Sequence, residues 1–153
     1  MITTYDLLVA HPFLAGLPQR HLERLSRWAY RAPFRAGVRI FEENGKADRF
    51  WLIRDGYVNL DIRVPGRGDV IMETLGPGAV LGWSWLFPPY RWQFGATAVD
   101  TVLSIAIDGP RTRALCDAQP DFGYELTKRF MAVVVDRMQA TRMRLLDLYK
   151  VPT

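Results

Sequence analysis

Between Leu75 and Asp100 the chain reads LGPGAVLGWSWLFPPYRWQFGATAVD. The stretch holds Gly76, Gly78, Gly82, Pro88, Pro89 and Gly95, three of the chain's five tryptophans, and Arg91 as its only base. Glycines at this density let backbone N–H groups face outward with no Cβ in the way. After Gly82 the segment Trp83-Ser84-Trp85-Leu86-Phe87 contains no breaker and stops at Pro88-Pro89, which predicts one short helical turn. A helix N-terminus behind a glycine presents free N–H donors and a positive dipole end, an arrangement that favours an anion.

The flanks give this stretch its setting. Upstream come Phe34-Arg35-Ala36-Gly37, Glu43-Asn44-Gly45 and Ile53-Arg54-Asp55-Gly56-Tyr57-Val58, and then Leu81-Gly82. This series of spaced glycines resembles the cyclic-nucleotide-binding domain, the β-roll of the catabolite activator protein and of kinase and channel regulatory domains. Asp48-Arg49-Phe50-Trp51-Leu52-Ile53 is similar to its central strand, and residues 81–98 align without a gap on its phosphate-binding cassette. The likeness runs from about His11 to Leu148.

The resemblance implies an α+β fold: an antiparallel β-roll of the jelly-roll kind, flanked by N-terminal helices and a long C-terminal helix. It makes 1–153 one domain, with helices over 1–32, the roll over 33–107 and C-terminal helices over 108–150. Members that bind cyclic nucleotides carry Gly-Glu at the start of the cassette and an arginine before a small pair near its end. The carboxylate accepts from the ribose hydroxyl, and the guanidinium pairs the phosphate oxygens. Here Gly82 matches the glycine, Trp83 falls on the glutamate and Trp92 on the arginine. Arg91 stands one step before, and Gln93-Phe94 replaces the small pair. Losing one partner of a buried charged pair costs ~2–5 kcal/mol, or about 30- to several-thousand-fold in affinity. The ligand-binding residues the resemblance puts forward are Gly82, Trp83, Ser84, Trp85, Leu86, Arg91, Trp92 and Gln93.

Composition narrows the classes. At 153 residues the chain is one domain's worth, enough to bury roughly two-thirds of its unfolded surface. A net charge of +4 is spread over bases from Arg20 to Lys150, which reads as a solvated basic surface rather than a nucleic-acid patch. Cys116 is the single cysteine, so an internal disulfide is excluded and a reducing cytoplasm is expected. The opening MITTYDLLVAHPF has no basic leader followed by a long apolar run. No segment approaches the ~18 apolar residues of a membrane span.

Read in order, Tyr5 to Tyr30 is helical in two pieces, broken at Pro12 and Gly16. Leu22, Leu25 and Trp28-Ala29 form the inner face of the second piece. His11 and His21 have no partners at ligand spacing and are expected on the surface. From Pro33 the pattern turns to strands: Val38–Phe41, Phe50–Ile53, the alternating Tyr57–Val64, and a hairpin through Pro65-Gly66-Arg67-Gly68 into Val70–Met72. Ala96–Val99 and Val102–Ile107 complete the set. Asp108-Gly109-Pro110 starts a helix over 111–118 that carries Ala114 and Leu115 inward, and Pro120 and Gly123 bracket a corner. Tyr124 to Tyr149 holds neither glycine nor proline and reads as one long helix. Phe130 to Val135 are apolar nearly all round, which predicts burial on several sides. Beyond them Met138, Thr141, Leu145 and Leu148 make a sparse seam, from which a homodimer through this helix is expected.

Three readings follow. The first is a stand-alone regulatory module of this family with a degenerate cassette, without enzyme activity or cofactor, signalling through a protein partner. The second is a true sensor of a cyclic nucleotide or another small anion, using Gly82, Ser84 and Arg91. The third is an enzyme with a site in the same roll, although no catalytic constellation, Walker lysine or dinucleotide fingerprint is present. Because only Val151-Pro152-Thr153 follow Lys150, no helix-turn-helix reader and no direct DNA contact are expected.

Overall fold

The computed structural model describes residues 1–149. Two short helices open the chain, α1 (Thr4–Ala10) and α2 (Gln19–Ser26), with a 3-10 turn at Pro12–Leu14 between them. A reciprocal cap starts α1: Thr3 Oγ1 accepts from the Asp6 N–H at 3.1 Å, and Asp6 accepts from the Thr3 N–H at 2.8 Å. Eight strands follow: β1 (Ala29–Phe34), β2 (Arg39–Phe41), β3 (Arg49–Asp55), β4 (Val58–Val64), β5 (Gly68–Leu75), β6 (Val80–Leu81), β7 (Gly95–Ala98) and β8 (Val102–Asp108). They form two four-stranded antiparallel sheets, ordered β1-β8-β3-β6 and β2-β7-β4-β5. The chain closes on α3 (Gly109–Ala118) and α4 (Pro120–Leu148). This is the β-roll with flanking helices that the family resemblance implies.

The centre of the roll is β3, hydrogen-bonded to β8 and β6, with Phe50, Leu52 and Ile53 fully buried. Such an apolar run suits a strand covered on both faces. Where the β4–β5 register shifts, with Met72 of β5 left unpaired opposite Leu60 and Asp61, the Asp61 carboxylate is buried and takes two hydrogen bonds from Arg39. An acid inside a sheet persists only with such a partner.

Several local expectations are corrected. The second helix ends at Ser26, so Ala29 belongs to β1 and the roll starts four residues earlier than its expected bound at 33. Neither histidine is on the surface: His11 is 4% and His21 2% exposed. The His11 ring is fully used, since Nδ1 accepts from the Phe13 N–H and Nε2 donates to the Ile53 carbonyl at 2.9 Å. His21 packs against Phe122 at 4.8 Å between centroids, 3.6 Å from the Asp121 carboxylate. In α3 the buried residues are Gly109, Thr112 and Leu115, and Ala114 faces out. Pro120 and Gly123 lie inside the first turn of α4, where Gly123 sits so close to the Cys116 carbonyl that a Cβ would come within 2.8 Å.

The helix α4 is less buried than its apolar run implies. Of Phe130–Val135 only Phe130 is fully buried, and Met131, Ala132 and Val135 face outward. The roll covers one side of the helix, so an apolar circumference is left half uncovered. No helix among the described residues is long and apolar enough to cross a membrane.

Candidate functional site

Leu81 ends β6 and Gly82 follows with φ +98, a left-handed conformation that favours glycine. Ser84–Leu86 then make the expected single turn, of the 3-10 kind. Beyond it the loop is pinned to the β2–β3 connection. The Trp92 N–H donates to the Gly45 carbonyl at 2.9 Å, and the Trp92 and Tyr90 carbonyls accept from the N–H groups of Asn44 and Ala47 at 2.8 Å each. These bonds carry Trp92 inward.

Trp92 fills the position the resemblance gives to the phosphate-pairing arginine. It is 4% exposed and stacks on Phe41, with centroids 4.0 Å apart and planes 14° from parallel. Trp51 lies on its other flank at 5.8 Å. Its ring presses so closely on Gly82 that a Cβ there would meet it at 2.8 Å. Trp83 is half-buried and meets Phe94 edge-on at 5.6 Å. The space left free among these rings is about 20 Å3. That is room for one water molecule, against several hundred Å3 for an ordinary small-molecule site.

Of the residues put forward from the sequence, Gly82, Trp83, Ser84, Trp92 and Gln93 line this cavity, and Trp85, Leu86 and Arg91 do not. Trp85 points the other way and is fully buried. It stacks on Phe50 at 4.7 Å and meets Phe130 of α4 at 5.3 Å, with its indole N–H unpaired. Leu86 packs against the same core. Arg91 is exposed, its backbone bridged to Lys46 and its carbonyl accepting from the Gln93 amide at 3.2 Å. Gly82, Ser84 and Arg91 therefore do not converge on one point. Arg113 of α3 straps the loop from outside, donating to the Trp85 carbonyl and lying over the Tyr90 ring at 4.1 Å.

Sequence reasoning missed Arg137, the one charged side chain among the described residues lining the cavity. It comes from α4, is 9% exposed, donates to Glu73 at 3.1 Å and to the Val80 carbonyl at 3.4 Å, and keeps its Nε–H unpaired. Burial pulls its pKa below the usual arginine value, and the Glu73 charge opposes that pull. Its spacing was the available signal: Leu126, Phe130 and Arg137 share the inner face of one helix at intervals of four and seven.

The family model described as the cyclic nucleotide-binding domain matches residues 31–119. A CRP-like cAMP-activated global transcriptional regulator of Mycobacterium tuberculosis is 22% identical over 143 residues. That match covers 94% of this chain, and the chain spans 62% of the length of that curated relative. The solved structure of a putative cyclic nucleotide-binding protein from Geobacter metallireducens superposes with a TM-score of 0.78 at 30% identity, covering 90% of this chain and 99% of that one. Thermus thermophilus catabolite activator protein shares the fold at 21% identity and a TM-score of 0.70, over 90% of this chain and 63% of that one.

Proposed function

The chain belongs to the cyclic nucleotide-binding domain family, and from that premise we propose that it is a ligand-sensing regulatory domain whose nucleotide cavity is closed by its own side chains. One observation carries this reading: Trp92 lies stacked on Phe41 and against Gly82 where a phosphate would sit. A nucleotide would have to expel a buried indole and would then find no guanidinium from the cassette. The ribose hydroxyl would meet Trp83, whose indole offers a donor and no acceptor. The exposed position of Arg91 weighs against an anion site built on Gly82, Ser84 and Arg91. Signalling then runs through the protein's own surface: a second copy along α4 or a partner protein.

Thermal melting with cyclic AMP and cyclic GMP tests the reading. A ligand with a Kd near ~1 mM, present at ~1 mM, adds only ~0.4 kcal/mol, a rise of ~1–2 °C for a chain of this size. The expected shift is no larger than that. A Kd of ~10 µM would add ~2.7 kcal/mol, and a rise of ~5 °C or more would overturn the closed-cavity reading.

A further inference from the structure

Two grooves lie end to end along one stripe of α4. The first, of about 560 Å3, runs between α3 and the proximal half of the helix and is lined by Tyr124, Thr127 and Met131. The second, of about 570 Å3, runs between the cassette and the distal half. Its helix side is built by Val134, Met138, Thr141 and Leu145, and its cassette side by Trp83 and Phe94. On α4 the lining residues follow one another at spacings of three and four, the repeat of a helix packed against another helix. From Tyr124 to Leu145 the stripe extends about 33 Å at 1.5 Å per residue. Tyr124, Met131, Met138 and Leu145 on it are each more than half exposed.

A trough of that length fits a long helix with an apolar stripe of its own. Among the described residues only α4 answers to this, since the next longest helix, α3, has 10 residues. A two-fold pair sets the same stripe of both copies face to face. We propose that the α4 of a second copy lies in this trough and covers Trp83 and Phe94. Two residues by which the cassette departs from its nucleotide-binding relatives then serve as a dimer contact. The proposal rests on the reading that signalling runs along α4, and it adds the cassette to that surface. Trp83 and Phe94 are half-buried and meet edge-on at 5.6 Å, so they form one aromatic ledge beside the stripe. Aromatic side chains are the ones that carry most of the energy of an interface. Arg137 on the same groove is already paired with Glu73 at 3.1 Å, which suits an apolar occupant.

Sedimentation of the full chain over a dilution series gives the dimer Kd and tests this. Trp83→Ala and Phe94→Ala should each weaken the dimer ~10-fold or more, the scale of truncating an aromatic anchor. Val99→Ala, which trims an exposed apolar residue in the turn after β7, should leave the Kd within ~2-fold. Fluorescence adds a readout that a merely structural role would not move. Trp83 and Trp28 are the two tryptophans that are not fully buried, and Trp28 is tied to Thr112 at 3.1 Å, away from the trough. Emission should shift to longer wavelength as the dimer is diluted apart and Trp83 meets water, and Trp83→Phe should abolish the shift. An unchanged Kd in both alanine variants, no dilution shift, or a shift that Trp83→Phe retains would each overturn the proposal. Pairing along α4 would still stand in those cases if Leu145→Glu halves the mass. A monomeric parent chain would overturn both. The closed cavity is judged apart from either, by the melts with cyclic nucleotides.

Discussion

Gly82 is where backbone and site constrain each other most tightly. Its φ of +98 costs a Cβ-bearing residue ~1–2 kcal/mol, and a Cβ would also strike the Trp92 ring at 2.8 Å, adding ~1–3 kcal/mol of overpacking. Gly37 has a similar φ of +85 with nothing within 4 Å of such a Cβ. Urea denaturation should therefore show Gly82→Ala losing ~2–5 kcal/mol and Gly37→Ala only ~1–2 kcal/mol. Equal losses would mean that Trp92 does not rest on Gly82. His11 makes a different prediction at the same scale. Burial holds its pKa below the usual histidine value, against the pull of its bond to the Ile53 carbonyl. The unfolded chain then takes up this proton near pH ~6.5 while the folded protein does not, so stability falls as pH drops below ~6.5. The loss continues down to the folded-state pKa, and His11→Gln should flatten that part of the slope in a denaturation series from pH ~7.5 to ~5. Neither histidine's burial was legible, because residue type and spacing do not say which backbone carbonyl or ring will arrive from 42 residues away, as Ile53 does. The Trp83 and Trp92 replacements could be read from the ungapped cassette. Their consequence could not, since Phe41 and Trp51, which hold Trp92, come from other strands.

At the scale of elements, α4 carries most of the unexplained surface. Its 29 residues extend about 43 Å at 1.5 Å per residue, and every residue from Thr141 to Tyr149 is exposed. Leu145 and Leu148 on this segment stand 52% and 66% exposed, and Met138 just before it 63%. A monomer would leave these side chains in water, and large exposed apolar patches mark contact sites. Light scattering at tens of micromolar should give the mass of a dimer, and Leu145→Glu should halve it. A monomeric parent protein, or an unchanged mass in the variant, would refute the pairing. The helix itself was legible from its freedom from glycine and proline. The depth of its burial was not, because hydrophobicity around the circumference shows what a helix could bury and not how much of it the roll reaches. The β4–β5 hairpin at Pro65–Gly68 was readable for the opposite reason: its turn chemistry is local, with Gly66 and Gly68 both at positive φ.

Across the whole molecule the loop after Gly82 is held from three directions. Trp92 anchors it in the roll, Arg113 straps it to α3, and Trp85 presses it onto Phe130 of α4. These contacts tie the loop to the roll and to both C-terminal helices. The architecture was legible through the family resemblance that the spaced glycines and the central strand carry, since strand pairing itself cannot be read from the residues. The state of the cavity was not, since it depends on packing among Phe41, Trp51, Gly82 and Trp92, brought together from four places in the chain. The most direct measurement of the central claim is a calorimetric titration of cyclic AMP into the full chain. Closure by Trp92 predicts no heat beyond dilution up to ~1 mM nucleotide, and saturable binding with a Kd at or below ~10 µM would contradict it.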